Sequence, residues 1–248
     1  MKTKLNIGVL ISGGGSNLQA IIDACEQGQL DANIVFVGSD NAAAKGLERA
    51  AKHGIPSFVV DYAAIIRKSK QHPSEVGYPQ RVDIDQLVAK ILAKQSDLDQ
   101  QKLTSMVRSR IPAEVDLLRQ MGSYSFDLLI LAGFMRTLTP YFIDSINQPH
   151  GTHKIMNIHP ALLPAFPGLD GYGDTVQYGC KVGGCTVHFI DYGEDTGPII
   201  GQAAFPIAES DDLDAVRKKG LSLEWQLYPE CIQYVAEGRL RVVERMYG

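Results

Sequence analysis

The chain has 248 residues, of which 45% are hydrophobic and 21% charged, and its formal net charge is −4. This composition suits one large soluble domain, or one domain with an insertion, and speaks against a broad nucleic-acid or membrane footprint. No apolar run approaches the roughly 20 residues of a membrane span and no signal peptide opens the chain, so small-molecule partners and a cytoplasmic location are expected. Cys25, Cys180, Cys185 and Cys231 show neither zinc-ligand pairing nor a secreted disulfide pattern, which favours reduced thiols.

Residues 5–11 form an apolar, β-prone run, and Ser12-Gly13-Gly14-Gly15-Ser16-Asn17 follows at once. Leu18, Ile21, Ile22 and Cys25 then recur at helical spacing. Strand, glycine turn and helix in that order aim free backbone N–H groups and a helix dipole at an anion. Ser16 and Asn17 would add side-chain donors. The third glycine of a dinucleotide fingerprint would fall at Leu18, and no Gly-Lys-Ser/Thr follows. The turn is therefore either a single-phosphate cradle or a plain tight turn. Residues 33–38 read as a second strand, 43–53 as a helix closed by Gly54, and 57–60 as a short third strand. This alternation predicts a parallel, right-handed, doubly wound start.

The rhythm breaks between residues 62 and 124. Arg67-Lys68-Ser69-Lys70 is a basic run suited to a solvated face. Ile84, Leu87, Val88, Ile91 and Leu92 make an amphipathic helix stripe, Leu103, Met106 and Val107 a second short helix, and Pro112 fits the first turn of a third. These read as helical packing material with no chemistry visible, and the stretch at about 93–124, with no converging polar set, should pack on the rim or build an interface. Residues 127–132 are a buried strand that ends in Gly133-Phe134-Met135-Arg136, and 155–158 are the next.

That next strand leads into Asn157-Ile158-His159-Pro160-Ala161-Leu162-Leu163-Pro164. Asn157 and His159, two apart, point to one side if the strand continues, and Pro160 stops the ladder because it has no N–H. An amide and an imidazole at a strand end either satisfy loop backbone or carry chemistry. The Leu163–Pro164 bond is expected to be cis, since the proline-rich loop must reverse tightly. Residues 171–178 read as a short helix, 185–190 and 199–205 as an antiparallel hairpin joined by an acidic turn, and 240–243 as a terminal strand. Ser210 or Asp211 should cap a long helix reaching about Val235. His188, on the alternating strand, reads as structural.

Asn157, His159 and Asp195, with no Ser or Cys in an elbow motif, point away from a covalent triad. They suit direct acyl transfer, in which an outside amine attacks a bound carbonyl carbon. The amide and a protonated His would face the developing oxyanion, and the carboxylate would hold the His charge and take a proton through water. One His with scattered acids is a poor metal site, so no metal is expected.

The motifs Ile11-Ser12-Gly13-Gly14-Gly15-Ser16-Asn17-Leu18-Gln19-Ala20, Gly46-Leu47-Glu48-Arg49-Ala50, Ala132-Gly133-Phe134-Met135-Arg136, Asn157-Ile158-His159-Pro160 with Leu162-Leu163-Pro164, and Asp195-Thr196-Gly197-Pro198 resemble the phosphoribosylglycinamide formyltransferase family, folate-dependent enzymes of purine synthesis. The resemblance implies an α/β, doubly wound, mostly parallel sheet with an antiparallel C-terminal part. It implies one formyltransferase domain over residues 1–248, with a helical insertion at about 93–124. By resemblance Asn157, His159 and Asp195 are the catalytic set, and Gly15, Ser16, Asn17 and Glu224 hold the ribonucleotide. Arg81, Met135, Arg136, Thr137, Leu138 and Asn157 contact 10-formyltetrahydrofolate, the formyl donor. Asp170-Gly171-Tyr172-Gly173 stands where the family commonly carries histidines. A monomer or homodimer is expected. Hydrolysis of the formyl donor, and a non-catalytic phosphate- or folate-binding module, remain as alternatives. Transfer to methionyl-tRNA is disfavoured because no basic C-terminal domain follows.

Overall fold

The computed structural model describes residues 4–72, 75–79, 81–149 and 151–243. A seven-stranded sheet has the order β3-β2-β1-β4-β5-β6-β7, with strands β1 (Leu5–Ile11), β2 (Ala32–Ser39), β3 (Ser57–Val59), β4 (Leu128–Leu131), β5 (Ile155–His159), β6 (Val182–Phe189) and β7 (Ile199–Pro206). The five strands from β3 to β5 run parallel, and β6 and β7 are antiparallel. The chain winds outward from β1 to β3 and then restarts on the other side of β1 with β4. The order therefore reverses between β1 and β4, where the crevice of such sheets lies.

Alternation along β1 sends Ile7, Val9 and Ile11 to one face and Leu10 to the other. The first face packs on α1 (Ser16–Glu26) and α8 (Leu213–Ala236) through Leu18, Ile21, Tyr228 and Ile232. The second packs on α3 (Tyr62–Gln71), α5 (Gln100–Met121) and α6 (Pro140–Ile146) through Tyr62, Leu117, Met121 and Phe142. The remaining helices are α2 (Lys45–Lys52), α4 (Ile84–Leu92) and α7 (Gly171–Tyr178). The Tyr228 hydroxyl lies 2.9 Å from the carbonyls of both Leu131 and Met156, so α8 ties down the ends of β4 and β5. No helix among the described residues is long and apolar enough to cross a membrane.

Several local expectations are corrected. Pro112 does not start a helix; it lies inside the 22-residue α5. The stripe Leu103, Val107, Ile111 continues into Ala113, Leu117 and Met121, so burial along the whole length outweighs the one hydrogen bond the proline removes. The second half of α5 therefore belongs to the core rather than the rim. Asp212, not Ser210 or Asp211, caps α8 by accepting from the Ala215 N–H at 2.8 Å. Asp211 is engaged instead by Ala208 N–H and Lys219. Residues 240–243 form no strand, and Val242 and Val243 are 41% and 59% exposed. The basic run 67–70 ends α3, with Arg67, Lys68 and Lys70 exposed as expected. Leu163–Pro164 is cis, as is Gln148–Pro149.

Glu114 is fully buried in α5 and accepts from both the N–H and the hydroxyl of Thr139. Burial pushes its carboxyl up from 4.5 to about 7, against the pull of Thr139 and Arg110. A folded-state value above the unfolded one means a stabilising contribution that is complete below about pH 4.5 and lost as pH rises through about 7. That displacement is equivalent to about 3 kcal/mol. Between about pH 4.5 and pH 8 the parent should lose up to about 3 kcal/mol relative to Glu114→Gln, measured by denaturant titration. A difference that does not change with pH would contradict this assignment.

Candidate active site

The glycine-rich turn is held by its carbonyls. Ser12 C=O accepts from Asn41 Nδ2 (3.3 Å), Gly13 C=O from Gly46 N–H (3.0 Å) and Gly14 C=O from Arg49 Nε (2.9 Å). With these oxygens bonded outward, the N–H groups of residues 13–17 are left without backbone acceptors among the described residues. Gly15 stands before α1 with φ 69°, and a Cβ there would lie 2.7 Å from the Gly46 Cα. Only glycine allows both that conformation and that approach. The arrangement can hold one anion at the start of α1.

Asn17 departs from expectation. Its amide donates to Glu224 Oε2 at 2.7 Å instead of pointing at the anion position. Glu224 is 5% exposed, and its other oxygen accepts from the Tyr172 hydroxyl at 2.7 Å. Tyr172, in the stretch where the resemblance leads one to expect histidines, is thus the side chain that meets Glu224. Burial, then the Glu224 charge, holds the phenol well above its ordinary value, so it stays a donor. Asp170 caps α7 and pairs with Arg217 at 3.2 Å.

Asn157 and His159 do share one side of β5. The antiparallel register sets Asn157 opposite His188, and Asn157 Nδ2 lies 3.3 Å from His188 Nε2. His188 Nδ1 faces the Phe189 carbonyl at 3.0 Å, so it carries the proton and Nε2 is free to accept from Asn157. Burial holds His188 below its ordinary value, outweighing the nearby Asp195 charge. His159 is 3% exposed, with Nε2 2.7 Å from the Phe166 carbonyl and Nδ1 3.2 Å from Asp195 Oδ2. Both ring nitrogens face acceptors, an arrangement that suits the imidazolium. The proline-rich loop is pinned to β6 and β7 by Leu163 N–H to Thr186 Oγ1 (3.0 Å) and Gln202 Nε2 to the Leu163 carbonyl (2.9 Å).

The β6–β7 turn leaves from beside the start of β5 and folds back along the sheet to bring in Asp195. Gly197 permits that fold, since a Cβ there would lie 1.8 Å from the Phe189 carbonyl. Asp195, at φ 54°, accepts from Gly168 N–H at 2.9 Å and has Oδ1 3.5 Å from His188 Nε2. His188, read from the sequence as structural, therefore touches both Asn157 and Asp195. Cross-strand register, invisible in composition or spacing, brings it there.

The segment after β4 follows the strand that pairs with β5 in the sheet. Met135 is 58% exposed and its N–H donates to Ser12 Oγ at 2.8 Å, joining the segment to the glycine turn. Leu138 is buried and Thr137 exposed. Arg136 is turned inward, in a very short ion pair with the buried Asp40 and over the Tyr62 ring. Arg81 is exposed at φ 72°, two residues before the cap of α4. The guanidinium that reaches the segment is that of Arg110, which donates to the Thr137 carbonyl at 3.2 Å. Its i, i+4 relation to Glu114 on α5 is the signal that would have pointed to it. Arg110 also lines a groove of about 330 Å³ with Lys70, Lys102 and Ser105. A groove of about 660 Å³ between α1 and α8 borders the glycine turn through Ser16 but is lined by none of Asn157, His159 and Asp195.

The formyl transferase family profile matches residues 5–232. The chain belongs to the formyl transferase family. It is 32% identical over 240 residues to phosphoribosylglycinamide formyltransferase of Escherichia coli strain K12, covering 97% of this chain and 91% of the relative. It is 35% identical to the trifunctional purine biosynthetic protein adenosine-3 of Chironomus tentans, matching 98% of this chain but only 14% of that longer protein. Among solved structures, glycinamide ribonucleotide transformylase 1 from Symbiobacterium toebii superimposes with a TM-score of 0.76 at 37% identity, over 99% of this chain and 93% of that one. For this family member, Gly15→Ala should weaken a phosphate-bearing ligand at least tenfold more than a folate. Calorimetry with each ligand checks this, and equal losses would contradict the cradle.

Proposed function

We propose that the protein transfers a formyl group from 10-formyltetrahydrofolate to the amine of glycinamide ribonucleotide, as a single domain with a helical insertion at about residues 93–124. The observation that carries this reading is the junction of two sites. The anion-ready turn at residues 13–17 follows β1 and is bonded through Asn17 to the buried carboxylate of Glu224, while Asn157 and His159 close β5, two strands away in the same parallel sheet, with Asp195 against His159. A phosphate at one end and an amine drawn toward Glu224 describe the acceptor; water, the acceptor in hydrolysis, would need neither. The Escherichia coli and Symbiobacterium toebii relatives named above carry this class of activity in their names.

In the proposed reaction the acceptor amine attacks the formyl carbon, a C–N bond forms and the carbonyl oxygen gains the negative charge. The Asn157 amide keeps one N–H for that oxygen, since His188 accepts only one of its two. His159 supplies positive charge nearby. Its Nε2 is bonded to the Phe166 carbonyl, so direct donation requires that carbonyl to give way to the substrate. Asp195 holds the His159 charge and receives the amine proton through water. The bond to the folate nitrogen then breaks, that nitrogen takes up a proton, and formylglycinamide ribonucleotide and tetrahydrofolate leave. Thr137 and Leu138, with Met135, Arg136 and Arg81, are proposed for the donor side, to which the structure adds Arg110.

Single-turnover assays should detect formylated product from both substrates, with little donor consumed when the amine is omitted. Asn157→Ala and His159→Ala should each cost about 10²–10³ in turnover. Asp195→Asn should cost at least as much, and the pair His159→Ala with Asp195→Asn less than the product of the single losses. Near-normal transfer by Asp195→Asn, or equal donor loss with and without amine, would overturn the reading.

A further inference from the structure

We infer that the helical segment 84–121 positions both halves of the proposed site, its Glu114 holding the donor segment at Thr139 and its Lys94 and Gln95 holding the turn that carries Asp195. The inference rests on the function proposed above.

On the donor side, Glu114 accepts from Thr139 N–H at 2.7 Å and from the Thr139 hydroxyl at 2.5 Å. Thr139 is the cap residue of α6, yet its hydroxyl makes no capping bond there because it is turned to Glu114. One turn of α5 earlier, Arg110 donates to the Thr137 carbonyl at 3.2 Å. Two side chains of one helix therefore fix the backbone just after Met135 and Arg136. A buried carboxylate is costly, and an apolar residue would pack α5 at lower cost. The carboxylate is explained by the two donors of Thr139, not by packing.

At the other end, the acidic turn is framed by Asp191, which accepts from Gly193 N–H (3.1 Å) and the Thr196 hydroxyl (2.6 Å). The helical segment grips that frame from outside. Lys94 pairs with Asp191 at 3.0 Å, and Gln95 Oε1 accepts from Glu194 N–H at 3.0 Å. Lys90 and the Tyr192 hydroxyl meet on Asp144 of α6, each at 2.6 Å. Glu194 immediately precedes Asp195, whose left-handed backbone must be held by its surroundings. A segment with no polar group in the reaction centre thus touches the backbone on both sides of it.

A structural role in general would lower all kinetic parameters together; positioning two separate loops predicts opposite splits. Glu114→Ala should raise the donor KM about tenfold with kcat within about threefold, the scale of one strong hydrogen-bonded contact. Glu114→Gln, which keeps an acceptor for Thr139 N–H, should restore most of that. Lys94→Ala with Gln95→Ala should lower kcat about tenfold with the donor KM within about twofold. Should Glu114→Ala not fold, Thr139→Val removes the hydroxyl and tests the same contact. Amide hydrogen exchange should quicken at residues 135–139 in the first variant and 193–196 in the second, with or without ligand. Equal falls in kcat and apparent affinity in both variants, or parent-like kinetics and exchange, would overturn the inference. A parent protein unable to transfer formyl would instead overturn the proposed function, and exchange alone would then decide: local quickening supports the positioning role, and unchanged protection ends it.

Discussion

The site depends on one buried imidazole held between two oxygens. His159 is 3% exposed, with a backbone carbonyl at one nitrogen and a carboxylate at the other. Three stretches of chain must converge for that to happen: the end of β5, the proline-rich loop that supplies the Phe166 carbonyl, and the turn that supplies Asp195. Each is secured separately. Tyr228 anchors β5 at Met156, Thr186 and Gln202 pin the loop, and the Asp191 frame with Lys94 and Gln95 fixes the turn. A polar ring buried this deeply needs such partners, because a buried donor or acceptor left unsatisfied costs about 1–3 kcal/mol.

The glycine-rich turn, proposed above for the acceptor phosphate, follows a different physical rule. There the work is done by backbone: the turn carbonyls of Ser12, Gly13 and Gly14 are bonded away to Asn41, Gly46 and Arg49, so the N–H groups are what the crevice sees. The reversal of strand order between β1 and β4 brings this turn beside the segment after β4, and the Met135 N–H to Ser12 Oγ bond at 2.8 Å joins them. The loops proposed above for acceptor and donor thus follow neighbouring strands and are bridged at Ser12, by its hydroxyl and by its N–H to the Gly133 carbonyl at 3.1 Å.

Much of this could be read before folding. The β–α alternation gave the parallel half, because strand and helix periodicities differ and each begins or ends on glycine or a cap. Asn157 and His159, two apart before a proline, were readable as one face of a strand end, and the glycine turn as an anion site. What could not be read depends on contacts between distant segments. His188 meets Asn157 only through the β5–β6 register, and Asn17 meets Glu224 across 207 residues. Arg136, expected by resemblance to contact the donor, is drawn inward by Asp40, whose burial no local pattern reveals. From sequence the helices between residues 84 and 121 read as packing, because their polar groups are single and scattered. Only the fold aims Glu114, Arg110, Lys94 and Gln95 at two loops that are far apart in the chain.

The hydrogen bonding of the buried histidine pair tests this account most directly. Nitrogen-15 NMR of ring-labelled protein should show the His159 Nδ1 signal moving in Asp195→Asn while its Nε2 signal, from the nitrogen facing the Phe166 carbonyl, stays in place. His188 should appear as the neutral tautomer protonated at Nδ1. A His159 Nδ1 signal left unchanged in Asp195→Asn would contradict the central claim that a carboxylate from the β6–β7 turn holds the imidazole at the end of β5.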